Sequence, residues 1–126
     1  MSWQAYVDTN MVGTGHVSKG AILGLDGTVW AKSPDFNISA PEAQHIAQNI
    51  SNPGALQGSG ARVEEEKHFC VRADGSFAYT KKGDSGMCIV KCKQCILVGL
   101  YNPPVQPGMC NTAVEKLGDY LKDCGY

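Results

Sequence analysis

Apolar positions along the chain repeat first at the helical period, then at the strand period, then at the helical period again. Residues 3–12 place Trp3, Tyr6, Val7 and Met11 on one arc at about 100° per residue, which predicts an amphipathic helix. Ser2 is its expected N-cap and Gly13 its expected stop. Two apolar runs, residues 21–25 and 28–31, flank Asp26-Gly27, a strong hairpin signal. Ser39-Ala40-Pro41-Glu42 reads as a helix start, and Ile46, Ala47 and Ile50 give that helix an apolar side. Residues 51–61, rich in Gly, Ser and Asn, read as loop. Strands are expected at 67–73, 76–81, 86–92 and 95–101, with a turn at Asp74-Gly75. Connections this short imply antiparallel pairing, because parallel crossovers need about a dozen residues. After Pro107-Gly108 the clearest helix follows. Ala113, Val114, Leu117, Tyr120, Leu121 and Cys124 fall on its apolar side, with Glu115, Lys116, Asp119, Lys122 and Asp123 opposite. The pattern is that of one α+β domain over 1–126, with helices covering a mostly antiparallel sheet.

Composition narrows the class. The chain has 126 residues, is 43% hydrophobic and carries a net charge of −1, which excludes a disordered chain and a dedicated nucleic-acid binder. The first residues lack the basic and apolar regions of a signal peptide, and no apolar run is long enough to span a bilayer. A cytoplasmic location is therefore expected, where an even number of cysteines is not evidence for disulfides.

The aromatic residues change the picture most. Trp3, Tyr6, Tyr120 and Tyr126 lie within the first six and last seven residues, where domains are usually least ordered. If the terminal helices pack side by side, these rings converge, and Trp30 from the first hairpin can join them. Rings with polar tips suit a proline-rich peptide: its preformed helix loses little entropy on docking, and its carbonyls accept bonds from Trp N–H and Tyr O–H. The blander reading is an inward helix stripe, which most aromatic stripes are.

The near-neutral sum also hides an asymmetry. Residues 67–93 carry six basic and two acidic side chains, while the rest of the chain is net acidic. Lys91 and Lys93 share strand parity. Such a face suits an acidic protein partner or phosphorylated lipid headgroups, or is a solvated sheet face with protective lysines.

Cys92-Lys93-Gln94-Cys95 is a C-x-x-C without a second matched pair for zinc. Its place between two strands, in a hairpin turn, lacks the helix start of a redox motif. A thiol-redox or metal role for Cys88, Cys92 and Cys95 is the main alternative from another class. His16, His45 and His68 form no ligand motif, and Glu64-Glu65-Glu66 reads as a solvated turn. No catalytic constellation, metal site or cofactor loop stands out.

Taken together, the residues resemble the profilin family from end to end. Ser2-Trp3-Gln4-Ala5-Tyr6-Val7-Asp8 is similar to the profilin N-terminus, as is Ala21-Ile22-Leu23-Gly24 with Asp26-Gly27 and Val29-Trp30-Ala31. Tyr79-Thr80-Lys81-Lys82-Gly83 resembles the family's basic strand end. The resemblance continues through Val98-Gly99-Leu100-Tyr101-Asn102, Val105-Gln106-Pro107-Gly108 and the final Val114-Glu115-Lys116-Leu117-Gly118-Asp119-Tyr120-Leu121, and is closer to short plant and protist members than to vertebrate ones.

The resemblance implies a central antiparallel sheet with the N- and C-terminal helices on one face and smaller helices on the other. It implies a non-enzymatic, monomeric adaptor that binds monomeric actin one to one, proline-rich proteins such as formins, and phosphoinositide headgroups. By match, Trp3, Tyr6, Trp30, Tyr120, Leu121 and Tyr126 form the polyproline groove. Lys81, Lys82, Lys91, Val105, Gln106, Gly108, Asn111 and Glu115 are the implied actin contacts, and Arg72, Lys81, Lys82 and Lys91 the implied phosphoinositide contacts. Cys88, Cys92 and Cys95 depart from many relatives' Val, Thr or Gly and leave oxidation near the actin face open.

Overall fold

The computed structural model describes residues 2–126. Its centre is a seven-stranded, wholly antiparallel sheet in the order β2-β1-β7-β6-β5-β4-β3. The strands are β1 (Lys19–Gly24), β2 (Val29–Lys32), β3 (Ala61–Val63), β4 (Glu66–Ala73), β5 (Phe77–Lys82), β6 (Ser85–Lys91) and β7 (Cys95–Tyr101). The expected meander is β4 to β7. The first hairpin joins the same sheet because β1 pairs with β7, Lys19 opposite Leu100 through Gly24 opposite Cys95.

Strand alternation sorts the core into two layers. On one face Ile22, Cys88, Val90, Leu97 and Tyr101 pack under the terminal helices with Val7, Met11, Val114, Leu117 and Leu121. On the other, Ala21, Leu23, Met87, Ile89, Ile96 and Val98 pack against Phe36, Ile46, Ile50 and Leu56. β1 and β7 are thus covered on both sides, which explains their nearly unbroken apolar runs.

The N-terminal segment begins as α1 (Trp3–Ala5), capped by Ser2 Oγ accepting from Ala5 N–H at 3.1 Å. It widens into a π-helical stretch (Tyr6–Met11) and closes in a 3-10 turn (Val12–Thr14). Gly13 does not stop it. A Cβ there would lie 2.7 Å from the Asp8 carbonyl oxygen, so glycine permits the close approach, and Gly15 at φ 79° makes the left-handed stop.

α2 (Ala40–Asn49) starts in a full capping box: Ser39 Oγ accepts from Glu42 N–H and Glu42 Oε1 from Ser39 N–H. The other Glu42 oxygen accepts from Glu65 N–H at 2.9 Å, bracing a turn in which Glu64 and Glu65 both have positive φ. The triple acid is therefore more than a solvated turn: Glu64 pairs with Lys19 and Glu66 with Lys82.

Residues 51–61 correct the loop expectation. They hold α3 (Pro53–Ser59), capped by Asn52, and the first residue of β3. Its two glycines and its single buried residue, Leu56, left no helical period to detect. α4 (Pro107–Asp123) lies close on the sheet, since a Cβ at Gly118 would come within 2.9 Å of Val90. Cys124, expected on its apolar side, is exposed because the helix ends one residue earlier. β6 likewise ends at Lys91, so Lys93 shares no strand face with it.

Candidate functional site

Five rings from the two ends of the chain and the first hairpin converge above the α1–α4 face. Trp3 is the hub, with centroids 5.8 Å from Tyr6, 5.0 Å from Trp30 and 5.1 Å from Tyr126, the last edge-on. Tyr6 lies 6.2 Å from Tyr120. Trp30, Tyr120 and Tyr126 are exposed, and Trp3 and Tyr6 half-buried. The inward-stripe reading fails here because the inward residues of this segment are Val7 and Met11. A groove of about 310 Å³ continues from the rings between the π-helical turn and α4, past Thr9, Asn10 and Lys116.

The end of α4 explains how Tyr126 reaches Trp3. Tyr126 N–H donates to the Leu121 carbonyl at 2.8 Å and Gly125 N–H to that of Lys122 at 3.0 Å. Gly125 has φ 93°. This is the Schellman arrangement, which folds the residue after the glycine back over the helix. Gln94 in the β6–β7 turn grips the same segment, its backbone N–H donating to the Tyr126 carbonyl and its side-chain amide to that of Gly125 at 3.1 Å. Leu121 is fully buried, so it supports the rings from beneath and presents no surface of its own.

A second surface lies where β4 and β5 face the first half of α4. Lys81 borders Val105, Gln106 and Pro107 in one hollow and Asn111 in the next. Gly108 meets open space, and Glu115 accepts a short hydrogen bond from the Tyr79 hydroxyl. Burial and that carboxylate push Tyr79 well above the usual phenol range. Arg72 stands opposite Tyr79 in register, 5.6 Å from the centroid of the Phe77 ring. Sequence reasoning missed the apolar part of this surface: Phe69 and Val71 are 66% and 65% exposed. The signal was present, since Phe69 and Val71 alternate with the inward His68 and Cys70.

Two of the basic candidates lie apart. Lys82 has the parity of Ala78 and Thr80, facing the small-helix side, and pairs with Glu66 at 2.7 Å. Lys91 also faces that side and donates to Ser51 Oγ at 2.7 Å. It sits beside Ser76, at the opposite end of β5 from Lys82 and about 20 Å away along the strand. Arg72 and Lys81 therefore share a face that Lys82 and Lys91 do not.

All six cysteines are free. Cys88, Cys92, Cys95 and Cys110 are buried, and burial pushes the Cys110 thiol up to about 12 and Cys88 higher. The Cys95 thiol, with help from Lys122, holds Cys92 below its usual value. Cys92 N–H donates to the Cys95 carbonyl at 2.8 Å across the expected hairpin turn. The described residues contain no group of three or more His, Cys, Asp or Glu arranged to hold a metal, and no helix among them is long and apolar enough to cross a membrane.

This arrangement defines a small sheet-and-helix binding protein whose ends build an aromatic surface. The chain belongs to the profilin family: it matches the profilin family model over residues 1–126. It is 47% identical over 127 residues to profilin-1 of Dictyostelium discoideum, with both chains fully covered. It superposes on Acanthamoeba castellanii profilin II with a TM-score of 0.95 at 42% identity, covering 99% of this chain and 100% of the other. Mouse profilin IIa, solved in complex with a double repeat from the FH1 domain of mDia1, shares the fold at a TM-score of 0.79 and 22% identity, with both chains fully covered.

Proposed function

We propose that the protein is a non-catalytic, monomeric cytoplasmic adaptor. It holds one actin monomer on the β4–β5–α4 surface and a proline-rich segment in the aromatic groove. The observation that carries this reading is the ring cluster itself. Five aromatic side chains interlock, with Trp30, Tyr120 and Tyr126 exposed and Trp3 and Tyr6 half-buried, and each is a Trp or Tyr ring that carries an N–H or O–H donor. A polyproline helix stacks on such faces and offers its carbonyls to such donors. The second surface supports a protein partner: exposed Phe69 and Val71 supply an apolar patch, and Lys81, Arg72, Asn111 and Glu115 polar groups around it. Holding both ligands on one rigid body raises the local concentration of actin at a proline-rich assembly factor and so regulates polymerisation.

Phosphoinositide headgroups are proposed to contact the basic set Arg72, Lys81, Lys82 and Lys91. With the set divided between two faces, Arg72 and Lys81 are the members whose occupation competes with actin. The test is retention on immobilised polyproline together with titration of fluorescent actin monomers. Binding to both, with neither ligand displacing the other, is expected; a well-folded protein that binds neither overturns the reading.

A further inference from the structure

We propose that the aromatic groove carries a second subsite, centred on Lys116, that selects proline-rich segments bearing an acidic side chain just beyond the prolines. The inference rests on the adaptor reading and names what the groove prefers among its ligands. Past the rings the groove runs between two helical walls. One wall is the N-terminal segment, with Tyr6, Thr9 and Asn10; the other is α4, with Tyr120, Lys116 and Ala113. Both walls step at helical spacing, so they extend side by side away from the rings for about two turns, on the order of 10 Å.

Leu117 and Thr14 complete the lining, so no carboxylate borders the groove and Lys116 is its one charged side chain. Lys116 is exposed and forms no ion pair among the described residues. The acids within reach are turned away or engaged. Asp119, three residues further along α4, borders the hollow on the other flank of the helix, with Arg72 and Lys122. Glu115 lines that same hollow and accepts from the Tyr79 hydroxyl. Asp8, on the facing segment, accepts from the Gln4 side-chain amide at 3.0 Å. The ammonium therefore stands uncompensated at the far end of the groove, with Thr9 and Asn10 adding neutral polar groups on the facing wall.

The occupant is the peptide that stacks on the rings, because the rings and this extension share Tyr6 and Tyr120. A polyproline helix rises about 3.1 Å per residue. Lys116 lies one turn from Tyr120 along α4, about 6 Å. The residue two positions past the proline on Tyr120 thus comes level with the lysine. Buried Ala113 and Leu117 give the backbone an apolar floor on the way. One uncompensated ammonium and no competing carboxylate favour an Asp or Glu at that position and repel a Lys or Arg. An exposed pair adds little raw affinity, so the lysine acts on the choice among proline-rich partners.

The test compares peptides by tryptophan-fluorescence titration. One is an octaproline tract followed by Gly-Glu, a second is the tract preceded by Glu-Gly, and each has a control with Gln in place of Glu. Both ends are tried because stacking on rings does not fix chain direction. At one end the Glu peptide is expected to bind about two- to fivefold more tightly than its Gln control at low salt, with the ratio falling towards one at high salt. Lys116→Gln should bring the ratio to one, and Lys116→Arg should keep it. Each ratio is internal to one protein, so a general loss of affinity does not move it. Equal binding of Glu and Gln peptides at both ends, or a preference that survives Lys116→Gln, overturns the proposal and leaves the adaptor reading in place. A folded protein that binds none of the peptides overturns both.

Discussion

The ring of Tyr126 packs edge-on against that of Trp3 at 5.1 Å, joining the two ends of the described chain in one surface. Trp3 also touches Tyr6 and Trp30, so its indole is the element common to three of the four ring contacts in the groove. Trp3→Ala is predicted to reduce affinity for a proline-rich peptide by at least about 2 kcal/mol, the scale of an aromatic hot spot. Tryptophan fluorescence titration and column retention measure this. Undiminished retention by a folded variant would reject the groove.

Gly125 gives an independent handle on the same surface without removing a ring. Its φ of 93° is unfavourable for a side chain by about 1–2 kcal/mol. Gly125→Ala is predicted to loosen the turn that seats Tyr126, weakening polyproline binding several-fold while the melting temperature falls only slightly. A thermal melt beside the binding assay separates the two effects.

Lys81 and Lys82 are neighbours in sequence with opposite parity. Lys81→Glu is predicted to weaken actin-monomer binding about tenfold or more, because it reverses charge at the polar rim. Lys82→Glu should change it less than about threefold, since the side chain faces away and its exposed pair with Glu66 is worth at most about 1 kcal/mol. Equal losses measured by fluorescence anisotropy would contradict this division.

His68 makes stability depend on pH. Burial first, then the nearby Lys82, hold its pKa below the usual 6.5, with Glu66 and Glu64 opposing. Between the folded and unfolded values the unfolded chain binds more protons, so stability rises with pH in that window and is complete above 6.5. The urea midpoint is predicted to fall on acidification below 6.5, and His68→Gln to lessen that fall. An unchanged slope in the variant would assign the effect to other groups.

Thiol exposure predicts a simple reaction pattern. Cys124 is exposed, Cys70 partly so with its thiol pushed up by burial, and the other four are buried. One fast-reacting thiol is expected with a maleimide reagent, and the four buried ones only on unfolding. Rapid labelling of Cys92 in the native protein would revive the thiol-chemistry reading.

Much of this was legible because local rules and tertiary packing agreed. The Ser39 capping box, the β4–β7 meander and the apolar side of α4 appear in the structure within a residue or two of their expected bounds. α3 was not legible, because its glycines and one buried leucine carry no period. The π-helical widening after Ala5 was not legible, because Trp3, Tyr6, Val7 and Met11 have the sequence spacing of an ordinary helix; in the structure Val7 and Met11 turn inward. Strand parity separated Lys81 from Lys82 in principle, but only the observed register showed that Lys91 lies at the other end of β5.

The pairing of β1 with β7 has a consequence for how the protein is made. β1 is apolar on both faces, yet the strand that covers its inner edge is encoded more than seventy residues later. At ribosomal rates of about 5–20 residues per second, the finished first hairpin waits on the order of 4–15 s for its neighbour. During that interval a sticky edge is in the open, and nascent-chain chaperones have their clearest reason to act on this small protein.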